Sequence, residues 1–272
     1  MSSLIEVKNV IKQYSNAEGK LLTVLDGIDL NFEQGSFTCI LGPSGCGKTT
    51  LLELIGGFQL PTSGQILTNG NPVKGPGMDR SMVFQTFDQL LPWKTVFKNV
   101  EYALTINKIG ADKKEREDTV MKFLSLVELE KFRDYYPHQI SGGMKQRVAI
   151  ARSLAQRPQV ILMDEPFASL DSQTRNTLQE QLFRIWEKAN VTIVFITHNI
   201  QEAIVLGSKI VVMAKSPSKI VVNIDNPVDA GGGIRFPDAK GYNECWKFLH
   251  EKISAQTYKE ELIQENNPDE IC

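Results

Sequence analysis

Apolar positions recur along this chain with two periods, and each change of period marks a change of element. Ile5, Val7 and Val10 lie on an apolar pattern, and Val24-Leu25, Ile28, Leu30 and Phe32 alternate with polar residues. Both read as strands with one buried face. Gly35 turns the chain into Phe37-Thr38-Cys39-Ile40-Leu41. A helix then begins near Thr50 and stops at Gly56-Gly57. Residues 60–80 are rich in Gly, Pro, Asn and Ser, which predicts turns with short strands, Gln65-Ile66-Leu67 among them. From about 94 to 157 the period lengthens to that of helices: Val120, Phe123, Leu124 and Val127 follow the charged run Lys113–Asp118, a solvated helix face. Val160-Ile161-Leu162-Met163 and Val191–Ile196 are apolar runs, as parallel strands covered on both faces require. The helix-compatible stretch 172–189 joins them in a crossover. Lys209–Met213 and Lys219–Ile224 flank Lys215-Ser216-Pro217-Ser218 as a closing hairpin. Ala230-Gly231-Gly232-Gly233 reads as a flexible joint, and Asn243–Ile253 as a short helix with Trp246, Leu249 and Ile253 on one side.

Composition adds bounds. The chain has 272 residues, 42% hydrophobic and 23% charged, enough for one large domain with a subdomain or a tail. Thirty basic and thirty-two acidic residues give a net charge of -2, which argues against a broad nucleic-acid surface. No apolar run reaches the roughly 20 residues of a membrane span, and the N-terminus lacks the pattern of a signal peptide. The expectation is a soluble, cytoplasmic chain. Four scattered cysteines (Cys39, Cys46, Cys245 and Cys272) show no metal-ligand spacing and read as reduced thiols.

Three stretches carry chemistry. Gly42-Pro43-Ser44-Gly45-Cys46-Gly47-Lys48-Thr49 fits G-x-x-x-x-G-K-[ST] between a strand and a helix. Its glycines let backbone N–H groups turn inward on an anion, Lys48 supplies charge for β- and γ-phosphates, and the Thr49 hydroxyl suits Mg²⁺. The helix entered at Thr50 offers its positive end to the same phosphates. A nucleoside triphosphate is the expected ligand. Second, the strand 160–163 ends in Asp164-Glu165 at the carboxyl edge of a sheet, where open α/β sheets bind ligands. Asp164 would hold Mg²⁺, and Glu165 would face a water positioned to attack the γ-phosphate. Third, Ser141-Gly142-Gly143-Met144-Lys145-Gln146-Arg147 opens a helix, with Ser141 as cap, and forms another phosphate-binding surface.

The set Gly42–Thr49, Gln85, Ser141–Arg147, Val160–Glu165, Ser169-Leu170-Asp171 and His198 resembles the ATP-binding cassette ATPases in order and spacing, over roughly residues 4–225. The resemblance implies an α/β fold: a RecA-like P-loop NTPase core with an antiparallel β subdomain and an inserted α-helical subdomain. In domain terms it implies an ATPase domain over 1–225, with the core at about 1–85 and 158–225 and the helical subdomain at about 86–157. A tail with a short helix would cover 226–272. The resemblance implies that Tyr14 stacks on adenine and that Gln85 reaches Mg²⁺ and the attacking water. His198 would contact the γ-phosphate. Ser169, Leu170 and Asp171 would lie on a loop crossing a dimer interface. Residues Ser141–Met144 would cover the nucleotide of the opposite subunit, so that two chains meet head to tail around two ATP molecules. Ile140 and Met144 depart in a minor way from the family pattern, which usually has Leu and often Gln there.

Two stretches, Gly75–Gln85 and Leu90–Val100, resemble the importer subgroup for nitrate, sulfonates and taurine, with relatives for bicarbonate, pyrimidine precursors or aromatic acids. The implied activity is hydrolysis of ATP to ADP and phosphate, coupled to transport. The implied partners are a second ATPase subunit, two transmembrane permease subunits and, indirectly, a solute-binding protein, with no nucleic acid. The implied location is the cytoplasmic face of the membrane. Phe87, Leu90, Leu91, Pro92 and Trp93 are apolar for a loop and suggest a partner interface or a subdomain core. The tail either packs on the core or has a role in regulation or in contacting the partner chain. The competing readings are a soluble cassette ATPase acting on nucleic acid or ribosomes, and a phosphate-loop kinase. The first lacks the second cassette or coiled-coil insertion usual in such proteins. The second has no use for Ser141–Arg147.

Overall fold

The pairing of the first two strands follows directly from the apolar alternation. In the structure, a computed structural model describing residues 3–16, 19–85, 89–168, 170–189, 191–229 and 233–266, Ile5 pairs with Phe32, Val7 with Leu30 and Val10 with Ile28 across an antiparallel ladder. The chain divides into two compact units, residues 1–75 with 196–272 and residues 76–195. The first unit opens with β1 (Ser3–Ser15), β2 (Leu21–Glu33), β3 (Phe37–Leu41), α1 (Lys48–Gly56), β4 (Ser63–Thr68) and β5 (Asn71–Pro72). The second holds β6 (Arg80–Val83), α2 (Val96–Ile106), α3 (Lys113–Leu126), α4 (Gly142–Ala155), β7 (Val160–Asp164), α5 (Ser172–Ala189) and β8 (Thr192–Ile196), whose last residue is the boundary. The chain then returns to the first unit with α6 (Ile200–Leu206), β9 (Lys209–Met213), β10 (Ile220–Asp225) and α7 (Tyr242–Asn266).

In the first unit an antiparallel sheet runs β2-β1-β4-β5, and a second strand set runs β10-β9-β3. There β9 is parallel to β3, and the expected hairpin β9–β10 is antiparallel. All five residues of β3 are buried, so nothing on this strand meets solvent until the chain leaves it at Gly42. α1 stops because Gly57 adopts a left-handed conformation (φ 78°) and its N–H bonds back to the carbonyls of Glu53 and Leu54. In the second unit β8-β7-β6 form a sheet in which β6 and β7 are parallel. Its helices start where side chains satisfy their free N–H groups: Thr95 caps α2, Asp112 caps α3 and Ser141 caps α4.

Two readings of the tail change. The last helix runs to Asn266 rather than ending near Ile253; no Gly or Pro interrupts the sequence before Pro268, so nothing local stops it. Among its described side chains Tyr242, Cys245 and Leu249 are buried, while Trp246 is exposed and stacks on His250 at 4.8 Å. Spacing alone allowed a stripe through Trp246, Leu249 and Ile253; Leu249 is buried as expected, but the packed stripe lies one turn earlier, through Tyr242 and Cys245. Of the expected glycine joint 230–233, residues 230–232 lie outside the described residues, as do Phe87, Ser169 and Cys272. Cys39, Cys46 and Cys245 are free thiols.

Candidate functional site

The loop Gly42–Lys48 is built where backbone can approach an anion. A Cβ on Gly42 would lie 2.8 Å from Cys46 Sγ and 3.0 Å from the Met213 carbonyl, and one on Gly47 would lie 2.8 Å from Val24 Cγ1. Gly47 also has φ 93°, which side-chain-bearing residues rarely adopt. A Cβ on exposed Gly45 would meet nothing within 4 Å. The loop is therefore tight on its protein side and open on its outer side. Lys48 is buried and arches over the loop, its Nζ donating to the carbonyls of Gly42 (2.9 Å) and Pro43 (3.0 Å). No side chain caps α1, so its first N–H groups are not occupied by a capping oxygen. Pro43 and Thr50 are half-buried, and Ser44 and Thr49 are exposed. An open cradle, a lysine beside it and an uncapped helix start are the donors a polyphosphate needs.

His198 leaves the same edge. The Thr197 N–H donates to the Ile40 carbonyl (3.2 Å), two residues before the loop begins. The Thr197 hydroxyl accepts from the Asn199 N–H (3.0 Å) and donates to the buried Glu202 carboxylate. Asn199 Oδ1 in turn accepts from the N–H groups of Gln201 and Glu202 and caps α6. The exposed His198 therefore sits between two residues whose positions are fixed. Burial, and next the Glu202 charge, push the Cys39 thiol on β3 well above the ordinary cysteine range, so it is neutral and unreactive. Tyr14, at the end of β1, is partly exposed; its hydroxyl donates to Gln59 Oε1 (2.7 Å) and Lys12 Nζ lies 5.0 Å from its ring centroid.

In the second unit, β7 carries Asp164 to its last position, nearly buried, with Glu165 half-buried just beyond. Glu165 has φ 42°, a left-handed conformation that costs a non-glycine residue about 1–3 kcal/mol. The turn after it holds that geometry: the Ala168 N–H bonds to the Glu165 carbonyl (3.2 Å), and Phe167, fully buried, packs on Phe195 at 5.5 Å. Gln85 is exposed after β6. Ser141 is exposed and accepts from the Met144 N–H (3.3 Å); Gly142 and Met144 are half-buried. Gly143 is buried, and a Cβ there would lie 2.8 Å from Thr174 Cγ2. That second glycine thus has a packing reason, the close approach of α4 to α5, which sequence reading had not supplied. Asp171 caps α5 through the Thr174 N–H (3.0 Å), and that bond holds its carboxyl below the usual range.

The structure adds residues that motif reading passed over. Gln89 holds the backbone of Phe84, next to Gln85: its Oε1 accepts from the Phe84 N–H (3.3 Å) and its Nε2 donates to the Phe84 carbonyl (3.1 Å). From α4, fully buried Gln146 reaches the same carbonyl (3.5 Å), and Arg152 Nη1 donates to the Gln89 carbonyl (2.7 Å). Burial keeps Arg152 below the usual arginine range. The helix that starts at the Ser141 surface thereby grips the segment bearing Gln85. The sequence offered no signal for this: Gln146 lies between Lys145 and Arg147, and nothing local marks it as buried. Asn99, fully buried, pins the loop 91–95 by donating to the carbonyls of Leu91, Lys94 and Thr95. Within the apolar loop, Leu90 is buried and Trp93 is 70% exposed, so the stretch divides between core and surface.

The chain is similar to known proteins in sequence and in fold. The sequence profile of the ABC transporter family matches residues 25–168. An uncharacterized ABC transporter ATP-binding protein of Methanocaldococcus jannaschii is 48% identical, over 83% of this chain and 84% of its own length. The nitrate import ATP-binding protein NrtD of Synechocystis sp. is 45% identical, over 79% of this chain and 80% of that one. The taurine import ATP-binding protein TauB of Rhizobium johnstonii is 42% identical, over 82% and 84%. Among solved structures, a dimeric ATP-binding cassette in a post-hydrolysis state with ADP and Pi aligns with a TM-score of 0.72 at 34% identity, over 81% of this chain and 98% of that chain.

Proposed function

The chain belongs to the ABC transporter family, and on that premise we propose that it is the ATP-hydrolysing subunit of an importer for a small oxyanion-bearing solute of the nitrate or taurine kind. The observation that carries this reading is the open phosphate cradle with Lys48 laid beside it and His198 issuing from the same strand edge. ATP binding follows from that cradle. Gly42–Thr50 would hold the phosphates, Lys48 turning from its carbonyl partners toward them, and Tyr14 would stack on the base. Thr49, Gln85 and Asp164 are hard oxygen donors of the kind Mg²⁺ takes. The metal would neutralise phosphate charge as phosphoryl transfer proceeds. Glu165 would orient and deprotonate water, and His198 would contact the γ-phosphate. The half-exposed surface Ser141–Met144, with Asp171, would face the nucleotide of a second copy.

Two membrane subunits would take up the motion of that dimer. A groove of about 300 Å³ in the second unit, lined by Met82, Tyr102, Ile106, Ala149, Arg152 and Ser153, suits one of their segments. Tyr102 and Ile106 expose apolar surface there, and the buried Ser153 hydroxyl has no partner among the described residues. No helix among the described residues is long and apolar enough to cross a membrane, so attachment would be peripheral, at the cytoplasmic face. A solute-binding protein would deliver the cargo.

The test is Glu165→Gln, which keeps the size and backbone of the residue and removes the base. Phosphate release should fall by about 10²–10⁴-fold while ATP still binds, and light scattering after size exclusion should show a monomer turning into a dimer only with ATP and Mg²⁺. Near-normal hydrolysis would remove Glu165 from its role, and a monomer with ATP demonstrably bound would remove the sandwich from this reading.

A further inference from the structure

We propose that the helical part of the second unit carries a separate site for a small amphipathic anion, an organic acid with an apolar body and a hydrogen-bond donor. Two adjoining cavities of about 480 and 350 Å³ open between α3, the end of α4 and α5, and share Lys122, Leu126 and Lys188. Their size is that of small-molecule pockets. The larger has an apolar floor that includes Phe123, Leu126, Leu154 and Val191, rimmed by Lys122, Arg157 and Lys188 with no carboxylate among its lining residues. Among the described residues none of these three cations forms an ion pair. Arg184 lines the smaller cavity but is paired with Glu180 at 3.7 Å, and Glu128 is the one acid among that cavity's lining residues. Glu128 is itself engaged, accepting from Gln181 Nε2 at 2.8 Å and lying 4.0 Å from Arg147.

Gln181 supplies an independent pointer to a ligand. It is nine-tenths buried, it lines the smaller cavity, and with its Nε2 committed to Glu128 its Oε1 has no donor among the described residues. A buried acceptor left unmade costs about 1–3 kcal/mol; Oε1 is closed to solvent as it stands, so an N–H or O–H on a bound molecule would satisfy it once the side chain turns toward the cavity. The cations select an anion, the floor selects an apolar body, and the bare oxygen selects a donor. None of these residues belongs to the nucleotide machinery, so the site stands apart from the ATPase reading.

The probe is 8-anilinonaphthalene-1-sulfonate, which has a sulfonate, an aromatic body and an N–H donor, titrated by fluorescence into the full chain saturated with ADP. The control is N-phenyl-1-naphthylamine, the same body without the charge. The sulfonate should bind at least about tenfold more tightly than the control. Replacing the two exposed lysines together (Lys122→Ala with Lys188→Ala) should weaken the sulfonate about tenfold, leaving the control, the melting temperature and ATP hydrolysis unchanged. Absence of binding to the unsubstituted chain, equal affinity for the two probes, or an affinity that ignores the lysine substitutions would each overturn the assignment.

Discussion

At the scale of single residues, the phosphate loop sets the strongest expectation. Lys48 is buried and spends its hydrogen bonds on two loop carbonyls, so it is held at the cradle before any ligand arrives. A charge-assisted bond contributes about 1.5–3 kcal/mol, so Lys48→Ala should weaken ATP binding by roughly ten- to a hundredfold. Titration with a fluorescent ATP analogue checks this, and unchanged affinity would mean that the loop does not grip phosphate. Glu165 is the other residue at which local geometry and chemistry meet. Its φ of 42° is disfavoured for any side chain, and a buried turn holds it. A strained backbone at a carboxylate edge points to a position fixed for use rather than for stability.

At the scale of elements, α6 works as a mount for His198. The Thr197 hydroxyl bonds Glu202 and Asn199 at once, and Asn199 caps the helix. Thr197→Val keeps the shape and removes both bonds, which takes a donor away from a buried carboxylate. The expected loss is about 1.5–3 kcal/mol of stability in urea denaturation. A fall in kcat with little change in ATP affinity should accompany it, because His198 loses its fixed position while the phosphate loop stays intact. If the role of Thr197 is only structural, stability will fall and the turnover of the remaining folded protein will not. The Gln89–Gln146–Arg152 contacts do the same for the segment of Gln85 from the side of α4. A pair of helix-borne polar residues thus ties the Ser141 helix to a second candidate site residue.

At the scale of the whole molecule, the tail is part of the first unit. Asn226 Nδ2 donates to the carbonyls of Ile204 and Gly207 at the end of α6, both at 2.8 Å, and Asn226 Oδ1 accepts from the Val228 N–H. Beyond it Arg235 Nε donates to the Val228 carbonyl, and Tyr242, Cys245 and Leu249 are buried. Asn226→Ala should therefore cost about 1–3 kcal/mol, seen as a lower urea midpoint at unchanged slope; an unchanged midpoint would mean that the tail is held elsewhere. The sequence by itself determined the element types, because periodicity and glycine stops are local, and it determined the chemistry of the loop 42–49, because that chemistry resides in the backbone between a strand and a helix. It also placed Asp164, Glu165 and His198 at strand ends. Only the tertiary structure decided which helix face of the tail is buried, what crowds position 143, and which amides anchor the segment of Gln85. Each of these depends on a partner distant in sequence (Thr174 for Gly143, Phe84 for Gln146), and no local period encodes the identity of such a partner.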